Sequence, residues 1–246
     1  MKITYLEHSG FVVEYAEYVL IFDYYRGKLP KVDPNKHILV FTSHIHPDHF
    51  NKIIFKWKKD YPDIKYILSD DIKAKKLSEK VIYLGAHQKM ALSDTKAETR
   101  LETAGSESDE DVQIETLQST DEGVAFLVHL KDKVIYHAGD LNWWHWEGED
   151  PKENEEMSLA YRAEIDRIRG QHIDVAFVPL DPRLEDQYYW GLDYYMRQTD
   201  TDVVFPMHMW GEDYSVYDRL MREPAAEGYR DRVMQIEKTQ QIFEIE

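Results

Sequence analysis

Apolar positions along the chain fall mostly in short runs of roughly four to eight residues, the length of strands, bounded by turn-forming residues. Ile3–Leu6, Phe11–Tyr15 and Val19–Phe22 open the chain as three such segments, rich in β-branched and aromatic side chains. His37–Thr42 is a continuous apolar run typical of a buried strand. The spacing then changes: between Phe50 and Lys59, Ile53, Ile54 and Trp57 share one face of a predicted helix. Lys65–Leu68 is the next strand, and Asp70 is placed to cap a short helix through Leu77. Further strands are predicted over Val81–Leu84, Lys89–Leu92, Ala97–Glu102, Val112–Leu117, Val124–Leu130 and Val134–His137. The acidic stretch Glu147–Glu156 reads as a loop, and Glu156–Arg169 as a helix stopped by Gly170. Ile173–Val178 reads as a strand, Tyr188–Gln198 as a helix, Val203–Pro206 as a strand, and Val233–Glu237 and Gln240–Ile245 as two closing strands.

This order puts hairpin-type strands in the first half and adds helices in the second. Regular strand–helix alternation is absent, so two packed sheets with helices outside are expected, an α+β architecture. No internal repeat or linker-like stretch interrupts the 246 residues, and one domain over 1–246 is expected. Composition then narrows the chemistry. With no cysteine, disulfides, thiolate metal sites and cysteine nucleophiles are excluded, so any metal must be held by His, Asp and Glu. No apolar run approaches the roughly 20 residues needed to span a bilayer, and no signal-peptide pattern opens the chain, so a cytoplasmic location is expected. The net charge of −17 repels nucleic acid. The basic stretches Lys52–Lys59 and Lys73–Lys76 read as solvated helix faces. A small-molecule substrate is expected rather than nucleic acid or a membrane, with self-association into a homo-oligomer left open.

The strongest chemical signal follows the buried strand: His44, His46, Asp48 and His49 stand within six residues of one another. His44 and His46 are two apart, so an extended segment points both the same way. Pro47 then turns the chain and frees Asp48 and His49 to face a second point, so the loop can serve two neighbouring cations.

Thr42-Ser43-His44-Ile45-His46-Pro47-Asp48-His49 resembles the H-x-H-x-D-H signature of the metallo-β-lactamase superfamily. Lys2–Phe11, with Glu7-His8-Ser9-Gly10, resembles the first strand of its lactonase-like branch, related to ascorbate-6-phosphate lactonase. Ile135–Asp140 resembles the branch's strand-end aspartate and Pro206-Met207-His208 its C-terminal histidine, all in the family's order. The resemblance implies an αββα sandwich of two mixed sheets flanked by helices, and a metal-dependent hydrolase with two divalent ions. The all-N,O ligand set suits Zn²⁺ and also admits Mn²⁺, Fe²⁺ or Ni²⁺. Residue by residue, it implies His44 and His46 at one metal, Asp48, His49 and His208 at the second, and Asp140 bridging both. Asp48 is the natural group to orient the nucleophile or accept its proton.

One departure stands out. The family has a further histidine between the cluster and the bridging aspartate, and Leu117–Val124 contains none. Three repairs follow: His8 swings in, Asp121 or Ser119 contributes oxygen, or a single metal binds tightly. His8 is favoured near the site, as ligand or as substrate contact; His137 and His145 are weaker candidates. Asp23, at another strand end, is expected to orient a ligand histidine. Arg183 serves either an anionic group or an ordinary salt bridge. Trp143, Trp144 and Trp146, Tyr188, Tyr189 and Trp190, and Trp210 flank these loops, as pocket walls or as core. The expected activity is hydrolysis of a small ester, lactone or phosphodiester; the alternatives are a nuclease of the same superfamily and a non-catalytic metal-binding member.

Overall fold

The computed structural model describes residues 1–72, 81–92, 99–101, 112–210 and 213–246. Two seven-stranded sheets form the molecule. In the first, β1 (Lys2–Glu7), β2 (Gly10–Tyr15) and β3 (Tyr18–Phe22) make an antiparallel meander. β4 (His37–Thr42), β5 (Lys65–Ser69) and β6 (Val81–Leu84) then add in parallel to β3. The hairpin reading of the first half therefore fails for β4, β5 and β6. β4 and β5 carry apolar runs because both their faces are buried. Along β3, Tyr18, Leu20 and Phe22 face the space between the sheets, while Val19 and Ile21 face a second core outside.

The second sheet takes β7 (Lys89–Leu92), β8 (Thr99–Leu101), β9 (Val112–Gln118), β10 (Val124–Leu130) and β11 (Lys133–His137) as antiparallel neighbours in the order β8-β7-β9-β10-β11. β12 (His172–Pro179) and β13 (Asp200–Met207) extend it in parallel to β11. β14 (Ile242–Glu244) returns to pair with β1 at the edge of the first sheet. Val233–Glu237 does not form the predicted strand: it contributes one bridge, Val204 to Val233, and follows a 3-10 turn at Arg230–Arg232.

Three α-helices are described: α1 (Pro151–Ile165), α2 (Trp190–Gln198) and α3 (Ser215–Leu220). α1 starts earlier than the acidic pattern suggested, because Asp150 caps it through the Lys152 N–H and Pro151 supplies a preset first turn. Tyr161 and Ile165 of α1, with Leu192 and Tyr195 of α2, cover the outer face of the second sheet. The helix predicted over Phe50–Lys59 is a 3-10 helix over Lys52–Lys59, with Ile54 as its buried residue. One buried side chain does not enforce a 3.6-residue stripe, and a run this short gains little from α-helical propagation. Of the helix predicted from Asp70 to Leu77, residues 73–77 lie outside the described residues; the strand predicted at Ala97–Glu102 is described over Thr99–Leu101. Among the described residues no helix is long and apolar enough to cross a membrane.

Candidate metal centre

The strand ends set the site. Asp23 follows β3, Ser43 and His44 follow β4, Asp140 follows β11, Asp181 follows β12 and His208 follows β13. All five strands point the same way within their parallel sets, so their carboxyl ends deliver side chains to one edge of the sandwich. Ligand sites in parallel sheets gather at these ends for the same reason. Two of these positions, Asp23 at φ 42° and His208 at φ 64°, and His8 just after β1 at φ 57°, carry non-glycine residues with left-handed backbone. Such conformations cost energy and persist where the surroundings fix them. Here the His208 N–H donates to the His8 carbonyl at 3.2 Å, and Asp23 accepts both the Ser43 N–H and the Ser43 hydroxyl.

The histidines share one logic. His49 Nδ1 donates to Asp23 at 2.7 Å, and His208 Nδ1 to Asp181 at 2.9 Å. His44 Nδ1 lies 2.9 Å from Ser43 Oγ, whose own proton goes to Asp23. With the Nδ1 proton committed on each ring, Nε2 presents its lone pair. All three Nε2 atoms face Asp140: His44 is 3.5 Å from Oδ2, while His49 and His208 are 3.2 and 3.4 Å from Oδ1. Asp140 thus divides its two oxygens between two sets of histidines. Lone pairs held against a buried carboxylate require a proton or a cation between them. Correspondingly, His8 Nε2, His44 Nε2, His49 Nε2 and Asp140 Oδ1 are buried with no hydrogen-bond partner.

Ligand atoms gather into two groups, each with all atoms within 4.8 Å of one another: His44, His46 and Asp140; and His8, Asp48, His49 and His208. These donors fit divalent cations: imidazole nitrogen and carboxylate oxygen, oriented from behind by Asp23 and Asp181. Charge tells the same story. Burial opposes ionisation of Asp140, but His49, His208 and His44 outweigh it and hold its carboxyl well below the usual range. Burial lowers His208, yet Asp140 and Asp181 prevail and push it up to about 9. Burial together with His49 brings His44 down to about 4, and burial with His208 and His49 brings His8 down to about 2.

Other expected residues fall into place or move away. His8 is not on the first group's side, where a ligand was wanting; its Nε2 lies 3.5 Å from Asp48 and its ring 4.2 Å from His208. Asp23 orients His49. His137 points into the sandwich: Nε2 meets the Ser9 carbonyl at 2.9 Å and the ring stacks on Phe22, so it faces neither group. His145 packs on Trp190 in a separate cavity of about 390 Å³. Ser119 Oγ accepts the Asp121 N–H, and Asp121 Oδ2 lies 3.9 Å from His46 Nδ1. Arg183 forks onto Asp181 through Nε, at 3.0 and 2.9 Å from its two oxygens, and lies over the Trp210 ring at 4.5 Å. Asp181 itself is not among the residues expected from the sequence. Next to a proline it reads as a turn cap, a role it also fills by accepting the Arg183 N–H; its strand-end position, shared with Asp23 and Asp140, is the signal that marks it.

A cavity of about 340 Å³ opens beside the second group, lined by His8, Asp48, Tyr25, Arg26, Met209 and Trp210 among others. Trp144 stands against the His208 ring at 5.3 Å. A third grouping, His172, Asp174 and Asp202, sits at the opposite ends of β12 and β13; Asp174 is already engaged by Lys133 and the Val134 N–H.

Residues 2–208 match the profile of the β-lactamase superfamily domain. Among solved structures, Igni18, a metallo hydrolase from the hyperthermophilic archaeon Ignicoccus hospitalis, superposes with a TM-score of 0.62 at 18% identity, covering 100% of this chain and 99% of that one. An isothiocyanate hydrolase from Delia radicum gut bacteria gives 0.56 at 12%, covering 100% and 99%. The short form of human tRNase Z gives 0.51 at 11%, covering 100% of both chains. At these identities the shared property is the fold.

Proposed function

The chain belongs to the metallo-β-lactamase superfamily of metal-dependent hydrolases, and from that premise we propose that it hydrolyses a small ester, lactone or phosphodiester at a centre of two divalent ions. One observation carries the reading: three histidines with committed Nδ1 protons turn unpartnered or carboxylate-facing Nε2 atoms onto the two oxygens of one buried aspartate. In this reading His44, His46 and Asp140 hold one ion, and His8, Asp48, His49, His208 and Asp140 the other, with Zn²⁺ first among the candidates and Mn²⁺, Fe²⁺ and Ni²⁺ admitted by the same donors. Two bound divalent ions supply an activated water at neutral pH and offset the negative charge that develops on the attacked group.

The chain's own groups do the rest. Asp48, about a quarter exposed beside the cavity, accepts a proton from the attacking water and returns it to the leaving group. Tyr25, Met209 and Trp210 wall the approach and exclude water from one side of the substrate. The lactonase-like assignment rests on the Glu7-His8-Ser9-Gly10 segment, which brings His8 into the centre. The net charge of −17 weighs against a nucleic acid substrate.

The test is elemental analysis of the purified chain together with turnover on lactones, aryl esters, bis(p-nitrophenyl) phosphate and RNA. Metal-dependent cleavage of a small ester, lactone or diester, abolished in His44→Ala and Asp140→Ala, is expected. RNA cleavage without small-molecule turnover would replace this reading by the nuclease one. Full metal loading with no turnover on any substrate would leave a metal-binding protein.

A further inference from the structure

The second ligand group is complete with three histidines, while the first holds His44, His46 and Asp140 and still lacks a donor. The turn between β9 and β10 approaches this group beside His46. We propose that Asp121, on this turn, completes the His44–His46–Asp140 position with a carboxylate oxygen, making it the oxygen-richer and harder of the two metal positions. The proposal rests on the metal-centre reading above.

Position is the first support. Asp121 Oδ2 lies 3.9 Å from His46 Nδ1. The turn is fixed by the same backbone that places the other ligands. Gly123, at φ +72°, lies so close to β4's end that a Cβ there would meet the Ser43 carbonyl oxygen at 2.0 Å. The Val124 N–H donates to that carbonyl at 3.0 Å. On the other side, Thr120 Oγ1 donates to the Asn142 carbonyl at 2.6 Å and accepts the Asn142 N–H at 3.0 Å, tying the turn to the loop that carries Asp140. Residue 121 is thus held in register with His44 and Asp140.

The second support is independent of the turn. His44 Nε2 is fully buried, has no hydrogen-bond partner and stands 3.5 Å from Asp140 Oδ2, so this side holds a lone pair and a carboxylate that need a shared cation. The donor chemistry then sets a consequence. Two imidazoles and two carboxylates favour a harder ion such as Mn²⁺ more than three imidazoles with two carboxylates do. Glu122 is the rival: its Oε2 lies 3.9 Å from His46 Nε2, and the two acidic side chains are alike about half exposed, so the variants must separate them.

The experiment measures metal stoichiometry by elemental analysis, Zn²⁺ and Mn²⁺ affinities by chelator competition, and Mn²⁺ spin-resonance spectra. It compares the wild type with Asp121→Asn, Asp121→Ala, Asp121→His and Glu122→Ala, each checked for folding by circular dichroism. The wild type is expected to bind two ions. Asp121→Asn and Asp121→Ala should keep one tightly and lose the other by about 100-fold or more in Kd, at or beyond the top of the range for disturbing a ligand's support. Asp121→His should regain the second ion with its preference moved towards Zn²⁺, and Glu122→Ala should match the wild type. Unchanged affinities in both Asp121→Asn and Asp121→Ala, or the loss appearing in Glu122→Ala instead, would overturn the proposal while leaving two metals in place. A wild type that binds no ion at all would overturn the metal-centre reading itself, a distinct result.

Discussion

A histidine that must give up a proton before it can hold a cation makes metal binding depend on pH. With His208 pushed up to about 9 in the metal-free site, an entering ion displaces a proton at neutral pH. Affinity should therefore climb between pH 6 and about 9 and level off above. Calorimetric titration in two buffers of different ionisation enthalpy reads the released proton, and affinity flat across this range would contradict the assignment. The same shifts shape the stability of the metal-free chain. His208, raised above its unfolded value of 6.5, contributes stability that is full below pH 6.5 and lost as pH rises through about 9. His44, lowered to about 4, contributes stability present above pH 6.5 and lost as pH falls towards 4, and His8 acts in the same direction. The metal-free melting temperature should thus peak near pH 6.5 and fall on both sides. Asp181 makes a further case. Its removal in Asp181→Ala frees the His208 ring and strands Arg183, and should weaken metal binding by roughly 10- to 100-fold. A chelator competition assay checks it. The His44–His49 loop was legible because its donors are adjacent in sequence. Asp181 and the side taken by His8 were not, because their meaning lies in which strand ends meet.

At the scale of elements, the buried parallel strands were the easiest to read. Both faces of β4 are covered, so its central Ile38–Phe41 is apolar without a break. Elements held by few buried contacts were misread: the Lys52–Lys59 segment, with Ile54 alone buried, and Val233–Glu237, which offers one bridge to β13. The helices on the second sheet are fastened more firmly. Ile165 is fully buried at the end of α1, and Ile165→Ala should cost about 2–5 kcal/mol in urea unfolding. The turn at Gly123 is a different kind of fixture. A methyl group there meets backbone rather than a movable side chain, and the left-handed φ adds strain. Gly123→Ala should lower stability by about 2 kcal/mol or more and reduce the affinity of the His44 position in parallel. A variant that loses stability with its metal affinities intact would separate the turn from the centre.

Over the whole molecule the acidic surface sets the approach of substrates. At a net charge of −17, an anionic substrate is repelled on its way to the cavity, and added salt screens that repulsion. For such a substrate kcat/KM should rise from 10 to 150 mM salt, whereas a neutral lactone should show little change; steady-state rates at both ionic strengths decide it. The two-sheet plan could be read from the order of elements, since hairpins followed by strand–helix units need two layers. The sharing of one edge by both sheets could not, because it depends on the parallel register of β11, β12 and β13. That edge also holds two indole rings against histidines proposed to hold metal, Trp144 at 5.3 Å from His208 and Trp210 at 5.0 Å from His8. Indole emission is quenched by a paramagnetic ion at such short range, so the protein carries its own optical gauge of occupancy. Loading with Co²⁺ or Cu²⁺ should dim the intrinsic fluorescence in step with binding while Zn²⁺ leaves it brighter, so that filling of the centre can be followed in real time with no substrate present.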